Sequence, residues 1–434
     1  MDSIYVNNFR GFNKTILPIR PVNFFVGENS TGKTSLLALL DLFSQPEFWF
    51  NINFNAGSYE FGNYKDIVSA SSKVQDEFQI GLCRPDQKRP ERSASYMIHF
   101  NQAKNGLPQL IRFSQLCEMY YVTMQVINNE VAVQLKTNVP SSVNCSSAEQ
   151  CFRYMQKISH IKTDYQKISD EIKHMLGRAA IYNFPIALSH IFKDAKLQKK
   201  FNSLPFPGLR ANLASMAPIR TKPKRTYDGY TRQYSPEGEH TPYVIKENLS
   251  QGRKNNSFRE ALDAFGKDSG LFETVGVSQF GRDDSSAPFE LTVTLNSKAL
   301  RINSVGYGVS QALPVVVELL TRGKSEWIAI QQPEVHLHPK AQAALGNLLF
   351  HAAIDKSQVL LVETHSDYLL DRFRLAMRNH EHPDGFAQVV FFERKANGNH
   401  VCPMIIDKLG EYPQDQPKGF RAFFLAEQKL ILGV

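Results

Sequence analysis

The octapeptide GENSTGKT at residues 27–34 constrains the fold most, because it matches the pattern G-x-x-x-x-G-K-[ST] in full. An apolar run at 21–26 predicts a short buried strand before it, and a leucine-rich run at 35–43 predicts a helix after it. A strand, a glycine-rich loop and a helix are the context in which this motif binds phosphates. The sequence therefore predicts an α/β fold that binds a nucleoside triphosphate, and ATP is the expected nucleotide.

The residue types of this loop indicate how it would hold the nucleotide. Gly27 and Gly32 allow the backbone to curl, so that its N–H groups point at phosphate oxygens. Lys33 is expected to contact the β- and γ-phosphates, and the Thr34 hydroxyl is expected to bind Mg²⁺. The predicted cofactors are ATP and Mg²⁺, and the predicted ATP-binding residues are Gly27, Glu28, Asn29, Ser30, Thr31, Gly32, Lys33, Thr34 and Ser35.

Composition narrows the class of protein further. No apolar run approaches the roughly 18 residues that a membrane helix needs, and the first residues lack the apolar stretch of a signal peptide. We therefore expect a cytoplasmic protein without membrane contact, whose five cysteines are reduced thiols because their spacing fits no metal site. The net charge of +8 is compatible with a nucleic acid or an acidic protein as partner and identifies neither.

The chain divides into three predicted segments. Residues 1–146 form an N-terminal lobe, which holds the phosphate loop and several runs whose alternation predicts antiparallel strands. Residues 147–205 change to helical spacing and are expected to form a small helical insertion. Residues 206–434 form a C-terminal lobe that contains further strands and the second half of the site.

A basic, loop-rich stretch lies near the start of the C-terminal lobe. Its cations would suit the phosphates of DNA or RNA, a partner subunit, or an ordinary solvated face, and the sequence leaves these three interpretations open. The residues concerned are Arg220, Lys222, Lys224 and Arg225.

The stretch at 304–311 predicts a second anion-binding element. Small residues lead directly into a helix, whose first N–H groups and positive end favour an anion. Gly306, Gly308 and Ser310 would let the backbone approach a ligand closely. A glycine turn that caps a core helix would have the same sequence, so both interpretations stay open.

Two later strands are predicted to end in polar residues at the same edge of a sheet. The apolar strand at 327–330 is followed by Gln331, Gln332 and Glu334, and ligands of open α/β sheets bind at such carboxyl ends. A helix predicted at 339–353 would cross over to a second strand, which runs up to Glu363.

Histidines follow both of these strands. His365 follows the second strand, and we expect it to hydrogen-bond the γ-phosphate or the attacking water. His336 and His338 lie two residues apart without further clustered ligands, so local structure or nucleotide contact is favoured over a metal site.

Taken in order, these stretches resemble the ABC-type ATPase heads of the OLD (overcoming lysogenization defect) family and its RecF-, SMC- and Rad50-like relatives. VNNFRGF resembles the first strand, VGYGVSQALP the signature loop, QQPEVHLHP the Walker B and D-loop region, and ETHSDYLLDRF the switch-histidine strand. MAPIRTKPKRTY and EYPQDQPKGF are also similar to stretches of the family. The resemblance covers residues 1–80 and 205–425. It implies a P-loop ATPase head with a mixed sheet core, an antiparallel β subdomain and a small helical insertion.

The resemblance also implies an ATP-dependent homodimer or a higher homo-oligomer. ATP on the phosphate loop of one copy would be sandwiched against the signature loop of the other, and would favour the closed assembly by its differential affinity. The residues that would act in trans are Ser304, Gly306, Gly308, Ser310 and Gln311.

This sequence departs from the family at the Walker B region. Gln331 stands where relatives usually carry an acidic Mg²⁺ ligand, since many of them have Glu-Gln-Pro-Glu in place of Gln-Gln-Pro-Glu. Gln332 stands at the position of the usual catalytic glutamate. An amide binds Mg²⁺ more weakly than a carboxylate and is no general base. Glu334 is the acid left in that loop, so it either orients the water or hydrolysis is slow. The implied catalytic residues are Glu334, His365 and Gln332, and the implied Mg²⁺ ligands are Thr34 and Gln331.

A second departure concerns the end of the chain, where OLD proteins carry a Toprim nuclease domain. Asp407, Glu411 and Asp415 are too few and too scattered to form one. The chain thus resembles the ATPase component of two-component anti-phage systems of the PARIS or Septu type. That resemblance implies a switch or sensor that holds a separate effector nuclease and responds to DNA or to an acidic phage protein. A RecF-like DNA-repair ATPase and a non-hydrolysing ATP-bound scaffold are the alternatives.

Overall fold

The computed structural model describes residues 2–420 except 71–76, 87, 90–92, 119, 128–129, 138, 141–142, 160–164, 177–179, 196–197, 199–200, 202–207, 210–212, 230–232, 251–255 and 282–286. By its internal contacts the chain forms two compact units. The first unit comprises residues 1–19, 29–210 and 392–403, and the second comprises 20–28, 211–391 and 404–434.

The secondary structure mixes strands and helices throughout. The strands are β1 (Ser3–Asn7), β2 (Thr15–Pro18), β3 (Val22–Gly27), β4 (Phe78–Arg84), β5 (Ala94–Gln102), β6 (Pro108–Cys117), β7 (Tyr121–Ile127), β8 (Glu130–Lys136), β9 (Gln166–Lys167), β10 (Leu213–Met216), β11 (Thr274–Gln279), β12 (Phe289–Leu295), β13 (Lys298–Arg301), β14 (Trp327–Gln331), β15 (Val359–Glu363), β16 (Ala387–Lys395) and β17 (Gly398–Ile406). The helices are α1 (Lys33–Ser44), α2 (Pro46–Asn51), α3 (Tyr64–Ile67), α4 (Ala148–Ser159), α5 (Asp170–Leu176), α6 (Ala180–Ile191), α7 (Thr241–Ser250), α8 (Asn256–Ser269), α9 (Tyr307–Thr321), α10 (Pro339–Asp355) and α11 (Asp367–Asn379).

The sheet that carries the predicted site has six strands in the order β10-β14-β15-β3-β16-β17. The first four of these are parallel, as predicted for the strands around residues 327 and 359. They are continuous apolar runs because a parallel sheet is covered on both faces. Helix α10 forms the predicted crossover between β14 and β15. The carboxyl ends of β14, β15 and β3 therefore meet at one edge of the sheet.

The first unit contains the predicted antiparallel sheet, with eight strands in the order β2-β1-β4-β5-β6-β7-β8-β9. Strand β6 is absent from the sequence prediction, because its polar residues interrupt the apolar run without a regular alternation. It pairs with β5 and β7, and it places Phe113 and Leu116 in the core. Tertiary pairing rather than local pattern thus decides this strand.

The segment predicted as a helical insertion contains the helices α4, α5 and α6. The Phe152 ring of α4 stacks on Tyr5 of β1 with ring centroids 4.8 Å apart, so α4 packs on the antiparallel sheet. Residues 165–169, which had helical spacing, contain the short strand β9 instead, because Gln166 and Lys167 pair with β8. The boundaries of this insertion, at residues 146 and 205, remain a prediction.

The cysteines are free thiols, of which Cys83, Cys145 and Cys151 share one core cluster of the first unit. Across the part of the chain that the structure describes, no group of three or more His, Cys, Asp or Glu side chains could hold a metal ion. In the same part, none of the helices combines the length and the apolar character that a membrane span requires.

Candidate nucleotide site

The phosphate loop leaves the buried strand β3 at Gly27 and enters helix α1 at Lys33. Its backbone turns through three left-handed positions, with φ of 144° at Gly27, 60° at Ser30 and 96° at Gly32. A Cβ on Gly32 would lie 2.3 Å from the ring of Phe12, so steric room and backbone conformation both require glycine there. The predicted strand, loop and helix are therefore all present.

The side chains of the loop differ in exposure. Glu28, Asn29, Ser30 and Thr34 are exposed, whereas Lys33 is only 3% exposed. Thr31 is buried, and Ser35 is half-buried. The guanidinium of Arg394 donates to the carbonyl of Ser30 and supports the loop from outside the motif.

The ends of β14 and β15 are joined to each other and to β3. Gln331 lies opposite Glu363 in the parallel ladder, and Glu363 lies opposite Phe25 of β3. The N–H of Gln332 donates to the Glu363 carbonyl at 2.7 Å, and the N–H of Thr364 donates to the Phe25 carbonyl at 3.1 Å. Each strand end is thus tied to its neighbour at the edge from which the phosphate loop leaves.

Glu334 and His365 come together at this edge. The Glu334 carboxylate accepts hydrogen bonds from the Thr364 hydroxyl at 2.9 Å and from the His365 backbone N–H at 2.7 Å. Burial raises the pKa of Glu334, while these hydrogen bonds and the charge of Arg220 oppose that shift. The arrangement holds an acid of raised proton affinity next to the residue predicted to contact the γ-phosphate.

Arg220 is buried, contrary to the prediction that groups it with exposed cations of the basic run. It is 2% exposed, and its guanidinium donates to the carbonyls of Gln331 at 3.0 Å and of Gln311 at 3.4 Å. Burial lowers the pKa of its guanidinium to about 10, although the charge of Glu334 opposes the shift. Arg220 is therefore a support of the site and not available to a partner.

The other three cations of the basic run keep their predicted exposure. Lys222, Lys224 and Arg225 are exposed, so their side chains are accessible to a partner. Arg220 carries the same charge in the same stretch, and sequence alone cannot separate it from them because no periodicity marks the buried position.

The second predicted anion-binding element begins helix α9, with Gly306 in the position that precedes the helix. Ser304 and Gly306 are exposed. A Cβ on Gly308 would lie 2.9 Å from the His336 carbonyl, so the glycine lets α9 contact the loop after β14. The Tyr307 ring also packs edge-on against His336, with centroids 5.0 Å apart.

Two residues of this element face the interior. Gln311 is 1% exposed, and its amide donates to the Arg220 carbonyl at 3.3 Å. The amide therefore contacts the core of its own chain, and the predicted contact of Gln311 in trans stays a prediction. Ser310 is buried and donates to the Tyr307 carbonyl at 2.8 Å within its own helix.

The two histidines after β14 have local structural contacts. The imidazole of His338 accepts the Ala341 N–H and caps the start of α10. His336 has a left-handed backbone with φ of 65° and packs on Tyr307. This agrees with the expectation that the pair serves local structure.

The strand ends offer the kind of ligand that Mg²⁺ prefers. Glu334, which follows β14, and Glu363, at the end of β15, are both buried carboxylates. Gln331 adds an amide at the end of β14. Mg²⁺ in nucleotide sites is bound by one or two carboxylates together with phosphate oxygens. The donor set of this edge therefore fits Mg²⁺. Glu363 ends a predicted strand but is not among the predicted site residues, because only the strand register reveals its neighbours.

Comparison with known proteins gives a match and several similarities. The sequence matches the family described as AAA ATPase domain (AAA_15) over residues 1–370. No curated protein matches it. The fold is similar to an SMC head bound to the C-winged helix domain of ScpA, with 11% identity, a TM-score of 0.45, and coverage of 94% of this chain and 98% of that chain.

Two further solved structures are similar to the same extent. One is the SMC head domain with an extended coiled coil bound to the C-terminal domain of ScpA from Pyrococcus furiosus, with 11% identity, a TM-score of 0.43, and coverage of 93% and 97%. The other is the SMC head domain from Thermotoga maritima, with 10% identity, a TM-score of 0.39, and coverage of 92% and 97%.

The family match includes every stretch from which the site is built: the phosphate loop, the start of α9, and the ends of β14 and β15. The predicted α/β fold of a P-loop ATPase is confirmed by this match together with the mixed sheets of the structure. The chain belongs to the AAA ATPase domain family.

Proposed function

We propose that this chain is an ATP-binding and ATP-hydrolysing switch of the ABC type. The observation that carries the proposal is the shared sheet edge. A complete phosphate loop leaves β3 where β15 and β14 deliver His365 and Glu334, already in contact with each other. A loop that binds phosphates beside a buried acid and a histidine is suited to phosphoryl transfer to water.

The proposal assigns a role to each residue. Lys33 contacts the β- and γ-phosphates. Thr34 and Gln331 would hold Mg²⁺, which would neutralise the charge of the phosphates. Glu334 orients the attacking water or accepts its proton, and its raised pKa favours the second role. His365 contacts the γ-phosphate, and Gln332 contributes only hydrogen bonds because an amide is no base.

The assembly that the proposal requires involves a second copy of this chain. The exposed backbone around Ser304 and Gly306, at the start of α9, is the surface offered to ATP on that copy. Binding in this way would make ATP a bridge, and the closed homodimer or higher oligomer would be favoured only while the triphosphate is intact.

The biological role that we propose is bacterial defence against phages. The support is the resemblance to OLD-type ATPases and to the ATPase components of two-component systems. In this role the chain holds and controls a separate effector nuclease, and hydrolysis or a phage trigger releases it. Expression with its effector should protect a bacterial host, and Lys33→Ala and His365→Ala should each abolish protection. Full protection by either variant would count against this role.

Steady-state ATP hydrolysis with Mg²⁺, measured alongside mass in solution with and without ATP, tests the biochemical proposal. We expect slow ATP hydrolysis and an increase in the mass of the particle in solution when ATP is added, and both should be lost in Lys33→Ala. Glu334→Gln should keep ATP binding and lose turnover. If ATP drives assembly without any turnover, the chain is a nucleotide-bound scaffold, as the amides at Gln331 and Gln332 would allow.

Direct DNA binding is the second candidate function, and the exposure of Lys222, Lys224 and Arg225 favours it. An interface that neutralises phosphates loses affinity steeply with salt. ATP-dependent, salt-sensitive binding of duplex DNA by the isolated chain, lost when all three cations become serine, would support a RecF-like role. Absence of such binding at low salt would exclude it.

A further inference from the structure

A side chain far along the sequence is bound to the phosphate loop and has no role in the proposed function. The guanidinium of Arg394, near the end of β16, donates to the Ser30 carbonyl. Arg394 lies outside the motif at 27–34, and the sequence predicted no site residue in this part of the chain. The contact makes Arg394 a candidate for a residue that serves the nucleotide site from outside the motif.

The residue that Arg394 holds has an unfavourable backbone conformation. Ser30 is left-handed, with φ of 60°, in a region that residues with a side chain occupy rarely and at a cost in free energy. Such a conformation persists where the surrounding structure supports it. The hydrogen bond from Arg394 is a support of this kind, because it acts on the peptide group that follows the left-handed residue.

The same hydrogen bond orients a backbone donor of the loop. Among the described residues no peptide bond is cis, so the Ser30 C=O and the Thr31 N–H point in opposite directions. Because the carbonyl is directed at Arg394, the Thr31 N–H is directed away from it. Backbone N–H groups are the donors with which loops of this motif cradle the α- and β-phosphates. A contact that fixes the carbonyl therefore fixes one of these donors.

The connection that follows Arg394 is itself anchored beside the loop. Strands β16 and β17 are neighbours, and Asn399 lies just after the connection between them. The Asn399 N–H donates to the Gly11 carbonyl at 2.7 Å, and its side-chain amide donates to the Arg10 carbonyl at 3.1 Å. A Cβ on Gly32 would lie 3.1 Å from the same amide nitrogen. These contacts hold the end of β16 next to the phosphate loop.

We propose that Arg394 is a positioning residue of the nucleotide site, which holds the Ser30–Thr31 peptide so that the Thr31 N–H donates to the α- or β-phosphate of ATP. The inference rests on the proposed ATP-binding function. A guanidinium stays protonated in proteins, so its hydrogen bond to the carbonyl is charge-assisted. A loop that is already ordered loses less conformational entropy when it binds. Arg394 should therefore act on nucleotide affinity and leave the hydrolytic step unchanged.

Affinity for two nucleotides tests this role. ATP and ADP are titrated calorimetrically against wild type, Arg394→Met, Arg394→Lys and Lys395→Met, which removes the adjacent exposed cation. Arg394→Met should weaken binding of both nucleotides by the same factor of about 3 to 10, the range that loss of one hydrogen bond produces. Arg394→Lys keeps a charged donor and should regain part of this loss. Lys395→Met should bind both nucleotides as wild type does. Turnover at saturating ATP should be unchanged in all of these variants.

A double substitution tests whether Arg394 acts through Ser30. Glycine adopts the left-handed conformation without the cost that a side chain imposes. Arg394→Met should therefore weaken binding less when it is combined with Ser30→Gly, compared with Ser30→Gly alone, than it does in wild type. An equal loss in both backgrounds would show that the two residues are not coupled and would overturn the positioning role.

The outcomes separate this inference from the function on which it rests. If wild type binds neither nucleotide, the proposed ATP binding is contradicted and the role of Arg394 with it. If wild type binds ATP and Arg394→Met keeps the full affinity, only the role of Arg394 is overturned. A loss confined to ATP would place Arg394 at the γ-phosphate and would also overturn the positioning role. If Arg394→Met does not fold, Arg394→Gln takes its place, and unaltered affinity of that variant would equally contradict the proposal.

Discussion

The end of strand β3 and the end of strand β14 meet at one sheet edge but are built in opposite ways. The β3 end is a contiguous motif, in which residues 27–34 supply the glycines, the lysine and the threonine in chain order. The β14 end is assembled from distant stretches, because its supports are Arg220, Gln311, Glu334 and the residues after β15. The proposed phosphate-binding end is thus encoded locally, whereas the proposed catalytic edge depends on tertiary contacts.

This contrast leads us to expect that the two ends tolerate sequence change differently. A loop that cradles phosphates with its backbone N–H groups has little freedom, since Gly32 must be left-handed and clear of Phe12. The end of β14 is less constrained in its backbone, and the sheet edge holds two buried acids, Glu334 and Glu363, beside the amides Gln331 and Gln332.

The largest effect is expected at the β3 end, from Lys33→Ala. Loss of a buried lysine that we propose to pair with phosphates should weaken ATP binding by about 2 to 5 kcal/mol, which is roughly 30- to 5,000-fold. Calorimetric titration with ATP measures it, and Lys65→Ala, in an exposed position of α3, is the matched control. Retention of affinity within a few fold would mean that the loop does not bind the nucleotide.

The next effect is expected at the β14 end, from Glu334→Gln. If Glu334 is the base, turnover should fall at least about 100-fold with ATP affinity unchanged, because an amide accepts no proton. Steady-state hydrolysis and ATP titration on the same preparation check both parts. Turnover that stays near the wild-type rate would show that Glu334 only positions His365.

The pH dependence of ATP hydrolysis also tests whether Glu334 is the base. Burial raises the pKa of Glu334 above its ordinary value of 4.5. The carboxylate is therefore protonated, and unable to act as a base, at a higher pH than an ordinary glutamate. Turnover should be full above the raised pKa and fall as the pH drops through it. If hydrolysis falls only in the pH range in which an exposed glutamate becomes protonated, the assignment of Glu334 as the base is contradicted.

The same difference between the β3 and β14 ends explains which features could be predicted from the sequence. The loop, the parallel strands and the crossover helix follow from motif and apolar runs, and the structure contains all of them. The burial of Arg220 and Gln311 could not be predicted, because neither the loop-rich stretch around Arg220 nor the start of α9 marks a single buried polar residue by its pattern. Strand β6 and the position of Glu363 beside Gln331 needed the pairing register, which no local pattern contains.

A smaller effect, on stability, is expected from Arg220→Met. Methionine has a similar length but cannot donate to the Gln311 and Gln331 carbonyls, and it removes the cation whose charge acts on the buried Glu334. The loss of charge-assisted hydrogen bonds should lower the free energy of unfolding by about 1.5 to 3 kcal/mol. Denaturant unfolding measures this, with Lys222→Met as the exposed control. Equal stability of both variants would show that the buried arginine is not what supports the β14 end.

The smallest effect is expected beside His365, from Ser366→Ala. The Ser366 hydroxyl caps α11 by accepting the Leu369 N–H at 3.1 Å, and it donates to Gln342 of α10 at 2.6 Å. Loss of a serine cap costs about 1 kcal/mol of stability. Denaturant unfolding against Ser146→Ala, an exposed turn position, should show this difference. Turnover should fall in proportion to any loss of order at His365, because the cap fixes where the helix after the histidine begins. A destabilised variant with unaltered turnover would mean that the β15 end keeps its histidine in place through Glu334 alone.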